Sequence, residues 1–246
     1  MARAAAVCFD VGGTLLHMDP PPEVIFADLC RAAGLEVTPV VAAAAYRRAE
    51  PWFGAHSGLY VTSPAQFWFE GNRVLLEALG VTEDLERRAA FITTGFGNRQ
   101  TGWRIYPEVP ETLAALRRRE LRLAVVSNWD PGLEHLLERM DLRAAFRVVV
   151  GSADVGVAKP DPRIFRLATD ALGVAPEQTL HVGDLYDYDI VGARAAGLIP
   201  VLVERRAERG SVFPAAPASY DGLRISDLRG LIPLIEGNLE VVGAAT

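Results

Sequence analysis

Five short runs of the chain are apolar at nearly every position: residues 4–9, 121–126, 146–150, 179–182 and 199–203. Turn-forming residues bound them, and several are rich in valine, as strands buried on both faces require. Between the last four the pattern changes to helical spacing. Asp130-Pro131 reads as an N-cap followed by proline in the first turn, with Leu133, Leu136, Leu137 and Met140 as the apolar stripe. Asp161-Pro162 repeats the device ahead of Ile164, Phe165, Ala168 and Leu172, and Gly173 is placed to end that helix. Strands alternating with helices predict an α/β fold, a doubly wound, Rossmann-like parallel sheet with helices on both faces.

Residues 17–103 break this rhythm. They hold no good strand run, but helical patterns recur over 24–33, 40–50, 64–79 and 84–97. Aromatics gather here too (Trp52, Phe53, Tyr60, Phe67, Trp68, Phe69 and Trp103), most of them read as core packing. The stretch predicts a helical domain inserted after the first strand. The core is then residues 1–16 and 104–246, and the insertion is 17–103. Residues 205–219 read as an exposed loop and 227–235 as a closing helix.

Composition narrows the function. With 246 residues, half of them hydrophobic, the chain can bury a large core. A formal charge of -6 offers no general basic surface for nucleic acid or an anionic membrane, so neither is expected as a partner. Two cysteines, Cys8 and Cys30, make no disulfide framework, and the opening MARAAAVCFD meets Asp10 too soon for a signal peptide. No run is long enough to span a bilayer, and a cytoplasmic location is expected. Lys159 is the single lysine, every other basic residue being arginine.

In an open parallel sheet, ligands bind where strands end at their carboxyl edge. Asp10-Val11-Gly12-Gly13-Thr14 follows the first run, Ser127-Asn128 the second, Lys159-Pro160 lies beyond the third, and Gly183-Asp184 follows the fourth, with Asp187 and Asp189 close behind. Carboxylates brought to one edge repel each other, and one lysine does not balance them. A hard divalent cation, magnesium above all, would. A carboxylate nucleophile, a metal, a lysine and a hydroxyl together suit phosphoryl transfer.

The ordered motifs FDxxGTL, a strand ending in serine, KPDPRIF and HVGDxxxxD resemble the haloacid dehalogenase superfamily, with the helical insertion in the place of that family's cap domain. The resemblance implies Asp10 as nucleophile and metal ligand, and Gly12 as a metal ligand through its carbonyl. It implies Ser127 and Lys159 as catalytic partners, Asn128 and Thr14 at the substrate, Asp184 as a direct metal ligand and Asp189 as one acting through water. It implies a magnesium-dependent hydrolase, a phosphatase acting on a small phosphorylated molecule through an aspartyl-phosphate. Substrate choice is expected from the cap, with Arg47, Arg48, Tyr60 and Trp68 as candidates. Asp187 reads as an N-cap, and His17, His56, His135 and His181 read as structural.

One departure stands out. Family phosphatases place a general acid–base aspartate two residues after the nucleophile, and this chain has Gly12 there. Three readings follow: a phosphatase for good leaving groups or with a borrowed proton carrier such as His17 or Asp19, a metal-free 2-haloacid dehalogenase-like enzyme, or a non-catalytic binding member. The paired Asp184 and Asp189 weigh against the second. A Schiff-base phosphonate-cleaving chemistry fails because residues 17–103 contain no lysine.

Overall fold

The computed structural model of the chain describes residues 4–98, 102–205 and 216–237. From the N-terminus these form β1 (Ala6–Phe9), β2 (Leu16–Asp19), α1 (Pro22–Ala32), α2 (Pro39–Ala55), α3 (Ser57–Thr62), α4 (Pro64–Ala78), α5 (Leu85–Asn98) and β3 (Gly102–Ile105). There follow α6 (Val109–Arg118), β4 (Arg122–Ser127), α7 (Leu133–Arg139), β5 (Val148–Gly151), α8 (Ser152–Val155), α9 (Pro162–Leu172), β6 (Thr179–Gly183), α10 (Gly192–Ala195), β7 (Ile199–Val203), β8 (Leu223–Ile225) and α11 (Leu231–Ile235). No helix among the described residues is long and apolar enough to cross a membrane.

Two compact units result. One comprises the described residues up to Leu16 and from Ile105 onward; the other is built from those of His17–Arg104. The first is a six-stranded sheet in the order β5-β4-β1-β6-β7-β8, parallel at every pairing. The five apolar runs are its first five strands, so the α/β parallel fold matches the sequence pattern. In β1, Ala6 and Cys8 pack with Ile164, Phe165 and Ala168 of α9. The alternate residues Val7 and Phe9 point the other way and are equally inaccessible to water, so helices and loops cover both faces. Asp161 caps α9 by accepting from the Arg163 N–H at 2.9 Å, and Gly173 closes it at a φ of 64°.

The second unit is helical, with a core of Ile25, Phe26, Leu29, Ala42, Ala45, Leu75, Leu76 and Ile92 from α1, α2, α4 and α5. The helix-spaced patterns lie within these four helices to within a few residues. Thr38 caps α2 through the Val41 N–H at 3.3 Å, followed by Pro39 in the first turn.

Several local expectations change. β2 and β3 pair as a two-stranded sheet where no strand was expected; each is only four residues long, LHMD and GWRI, with no apolar run to betray it. The edge strand β8 is three residues with Arg224 at its centre. Asp130-Pro131 is not the cap of α7. Gly132 holds that place at a φ of 104°, a left-handed conformation open to glycine, and the helix begins at Leu133. Most of the loop expected over 205–219 lies outside the described residues, yet Arg205 is buried rather than exposed. The closing helix is a 3-10 turn, Leu228–Gly230, capped by Asp227, running into α11.

Candidate active site

β1 lies between β4 and β6, so the residues after these three strands meet at one edge. Phe9 is in register with Val125 on one side and Val182 on the other, and the Asp10 N–H donates to the Val182 carbonyl at 2.9 Å. Asp10, Ser127 and Asp184 therefore leave the sheet as neighbours. After Asp10 the chain folds tightly, with the Leu15 and Leu16 N–H groups both donating to the Val11 carbonyl at 2.9 Å. Gly13 makes the turn at a φ of 78°, a conformation costly for a residue with a side chain.

Asp10 is buried, and its Oδ1 accepts from the Ser127 hydroxyl at 2.9 Å and from Lys159 Nζ at 2.6 Å. The same ammonium donates to Asp189 Oδ1 at 2.5 Å. The Lys159 backbone is fixed by Asn128, whose side-chain amide donates to the Lys159 carbonyl at 3.0 Å and accepts from its N–H at 2.7 Å. Ligand oxygens of Asp10, Asp184 and Asp189 all come within 4.8 Å of one another. Thr14 directs its hydroxyl to Asp184 Oδ1 at 3.3 Å, so it touches an expected metal ligand.

A π-helical turn, Tyr186–Val191, returns Asp189 beneath the end of β6. Its Oδ2 accepts from the Leu185 N–H at 3.0 Å, and His181 Nε2 donates to its Oδ1 at the same distance. Gly183 is obligatory beneath it, because a Cβ there would lie 2.1 Å from Asp189 Cγ. Asp187 sits exposed inside that turn and caps nothing; Leu185 holds the N-cap place.

The charges perturb one another. Burial raises the Asp10 carboxyl above its ordinary range, and the Asp189 charge adds to this against Lys159 and Ser127. Burial also opposes ionisation of Asp189, but Lys159 and His181 hold it well below the usual carboxylate range. Burial would lower Lys159, yet Asp10 and Asp189 keep it above the usual lysine value. His181 is pushed down by burial and by Lys159, against the pull of Asp189.

Two roles were not read from the sequence. His181 is no inert strand residue, since it is hydrogen-bonded to Asp189. Asn128 acts through its side chain on Lys159. Of the other histidines, His56 stacks on Trp52 at 4.5 Å, and His135 is exposed beside Glu138. Of the residues expected to choose substrate, Arg47 and Arg48 are exposed on α2, Arg48 bonding the Ala78 carbonyl at 2.9 Å, while Tyr60 and Trp68 form an edge-to-face pair at 5.7 Å.

A family profile described as haloacid dehalogenase-like hydrolase matches residues 4–197. The chain is 36% identical over 240 residues to a phosphoserine phosphatase of Thermus thermophilus, covering 89% of this chain and 94% of that one. It is 35% identical over 204 residues to haloacid dehalogenase-like hydrolase domain-containing protein 3 of Bos taurus, covering 79% and 80%. Among solved structures, a predicted phosphoglycolate phosphatase from Haemophilus somnus shares the fold, with a TM-score of 0.68 at 21% identity over 95% of this chain and 99% of that one. A parallel sheet with this buried carboxylate–lysine edge, matched along most of its length, places the chain in the haloacid dehalogenase-like hydrolases.

Proposed function

We propose that this hydrolase is a magnesium-dependent phosphatase that cleaves a small phosphorylated metabolite through an aspartyl-phosphate on Asp10. The observation that carries the reading is the convergence of Asp10, Asp184 and Asp189 within 4.8 Å around one buried ammonium. Three carboxylates against the single Lys159 ammonium leave the site short of positive charge. The donors are hard oxygens, which suit magnesium. Asp10, the Gly12 carbonyl and Asp184 would hold the ion. Asp189 would act behind them through water, because its oxygens already receive Lys159, His181 and the Leu185 N–H. When bound, the ion supplies charge neutralisation for the phosphoryl oxygens.

The chain's own residues do the rest. Ser127 and Lys159 both bind Oδ1 of Asp10, which orients the other oxygen for attack on phosphorus. The bond from Asp10 to phosphorus forms as the bond to the leaving oxygen breaks. Lys159 offsets the charge shared by nucleophile and phosphate, the Asn128 N–H and the Ser127 hydroxyl, turned from Asp10 as the phosphoryl group arrives, hold phosphoryl oxygens, and Thr14 steadies Asp184. Water then attacks the acyl phosphate, releasing inorganic phosphate and restoring the carboxylate. Gly12 has no side chain to protonate the leaving oxygen, so groups that depart without help are the preferred substrates. The phosphatase name of the Thermus relative supports phosphomonoesters. A 2-haloacid would add a fourth carboxylate to this edge, which disfavours dehalogenation.

A screen of phosphorylated metabolites with magnesium and with EDTA tests the reading. Turnover should require magnesium, vanish in Asp10→Asn, and need far more magnesium in Asp184→Asn. Activity above a few per cent in Asp10→Asn, or 2-haloacid turnover persisting in EDTA, would overturn it.

A further inference from the structure

Just past β7, Arg205 is buried: its side chain is only 6% accessible, as is that of Glu108 beside it. Burying an arginine is costly unless its charge and N–H groups are used. Here Nη2 lies 2.7 Å from Glu108 Oε1 and donates to the backbone carbonyl of Thr14 at 2.8 Å. The guanidinium also lies over the Tyr106 ring, 3.5 Å from its centre. The Tyr106 N–H in turn donates to the Leu15 carbonyl at 3.1 Å. Two successive carbonyls of the loop that follows the nucleophile are thus tied down from outside it. That loop contains Gly12-Gly13, the pair with most backbone freedom to lose on folding. On its inner side the Thr14 hydroxyl reaches Asp184 Oδ1 at 3.3 Å.

We propose that Arg205 is a positioning residue of the active site: by binding the Thr14 carbonyl it fixes the 11–16 loop, and with it the Gly12 carbonyl and the Thr14–Asp184 contact, in the arrangement that receives the metal. The proposal rests on the metal reading given above. Arginine suits the task because its Nη2 reaches both Glu108 and the Thr14 carbonyl while the guanidinium plane lies on the Tyr106 face, which a lysine ammonium has no plane to do. A lysine ammonium is a point charge that can serve Glu108 but cannot reproduce the set.

Two variants test this. Arg205→Lys keeps a cation for Glu108, and Arg205→Met/Glu108→Gln removes both charges without stranding a buried carboxylate. Hydrogen exchange of the metal-free protein is followed by mass spectrometry, and magnesium binding by calorimetry. In both variants the peptide spanning 11–16 should exchange about tenfold faster, as expected for losing one charge-assisted hydrogen bond, while β4 amides keep their wild-type rates. Magnesium affinity should fall by about fivefold or more. Unchanged exchange at 11–16, or equal acceleration there and in β4, would overturn the proposal. So would a loosened loop with unaltered magnesium affinity. A wild-type protein that binds no magnesium would instead sink the metal reading, and the exchange data would still decide whether Arg205 holds the loop.

Discussion

Replacing Lys159 with methionine keeps most of the aliphatic stem but removes the ammonium from between Asp10 and Asp189, which it contacts at 2.6 Å and 2.5 Å. The three side chains are 3%, 8% and 1% accessible, so water cannot take over the lost partner. Breaking a buried ion pair by deleting one member costs about 3–5 kcal/mol. At about 2–4 °C per kcal/mol for a chain of this size, the melting temperature should drop by roughly 6–20 °C. The loss must also depend on pH with a fixed sign. In the native protein Lys159 and His181 hold Asp189 below the ordinary range against its burial. That contribution is complete above the unfolded value of about 3.9 and is lost as pH falls through the folded one. The variant has lost the Lys159 part of it, so the gap between the two proteins should be widest near neutrality and narrow below about pH 4. Thermal melts by circular dichroism in EDTA across this range measure it. A gap below about 2 °C at neutral pH, or one of equal size in acid, would refute the view that Lys159 is the neutralising charge of a buried cluster.

Three further outcomes follow from single residues. Gly12→Asp places a carboxylate two residues past Asp10. A general acid is worth about 10²–10⁴-fold, so rates on alkyl phosphates should rise while those on aryl phosphates change little; steady-state kinetics over a leaving-group series would show the flattening, and a folded, magnesium-binding variant with no gain would contradict it. Gly183→Ala places a Cβ 2.1 Å from Asp189 Cγ. Because that carboxylate is locked by three hydrogen bonds, the change should cost roughly 1–3 kcal/mol and weaken magnesium binding, and an unaltered melting temperature would count against the fit described here. Burial pushes the thiols of Cys8 and Cys30 up to about 12, so iodoacetamide at mildly alkaline pH should label neither in the folded protein and both in urea. The sign for stability is that it declines as pH rises above the unfolded thiol value of about 8.5, and rapid labelling of the native chain would contradict the burial of both.

The sheet was legible because its strands are buried on both faces and therefore read as unbroken apolar runs. β8 was not, since an edge strand of three residues around Arg224 carries no such run. The helices of the 17–103 region were legible from their apolar spacing, whereas β2 and β3 become strands only through each other, a pairing across more than eighty residues of sequence. Caps were less secure. Asp130-Pro131 and Asp161-Pro162 look alike, but only the second starts a helix, because Gly132 turns the chain left-handed after the first. Asp10, Ser127, Lys159 and Asp184 could be placed at one edge because each follows a strand or precedes a helix in a recognisable motif. Arg205, His181 and the Asn128 side chain could not. A long cation past a strand normally reads as surface, and a histidine inside a strand as packing. What distinguishes these residues is a partner far away in sequence: Glu108 and Thr14, Asp189, and Lys159 respectively.

The placement of β1 between β4 and β6 has a consequence for how the protein is made. Synthesis delivers Asp10 first and its partners late: Ser127 comes 117 residues after Asp10, Lys159 comes 149 after it, and the Asp184 that Thr14 contacts comes 170 after Thr14. Until β4 and β6 have left the ribosome, β1 is an apolar segment with both hydrogen-bonding edges open, the kind of segment that pairs with whatever strand it meets. The emerging helical segment 17–104, with a core of its own, can collapse during that wait. A nascent or truncated chain ending before β6 therefore has Asp10 but none of Asp184, His181 and Asp189, and the same topology that assembles the cluster leaves premature fragments without it and with an apolar edge open to other strands.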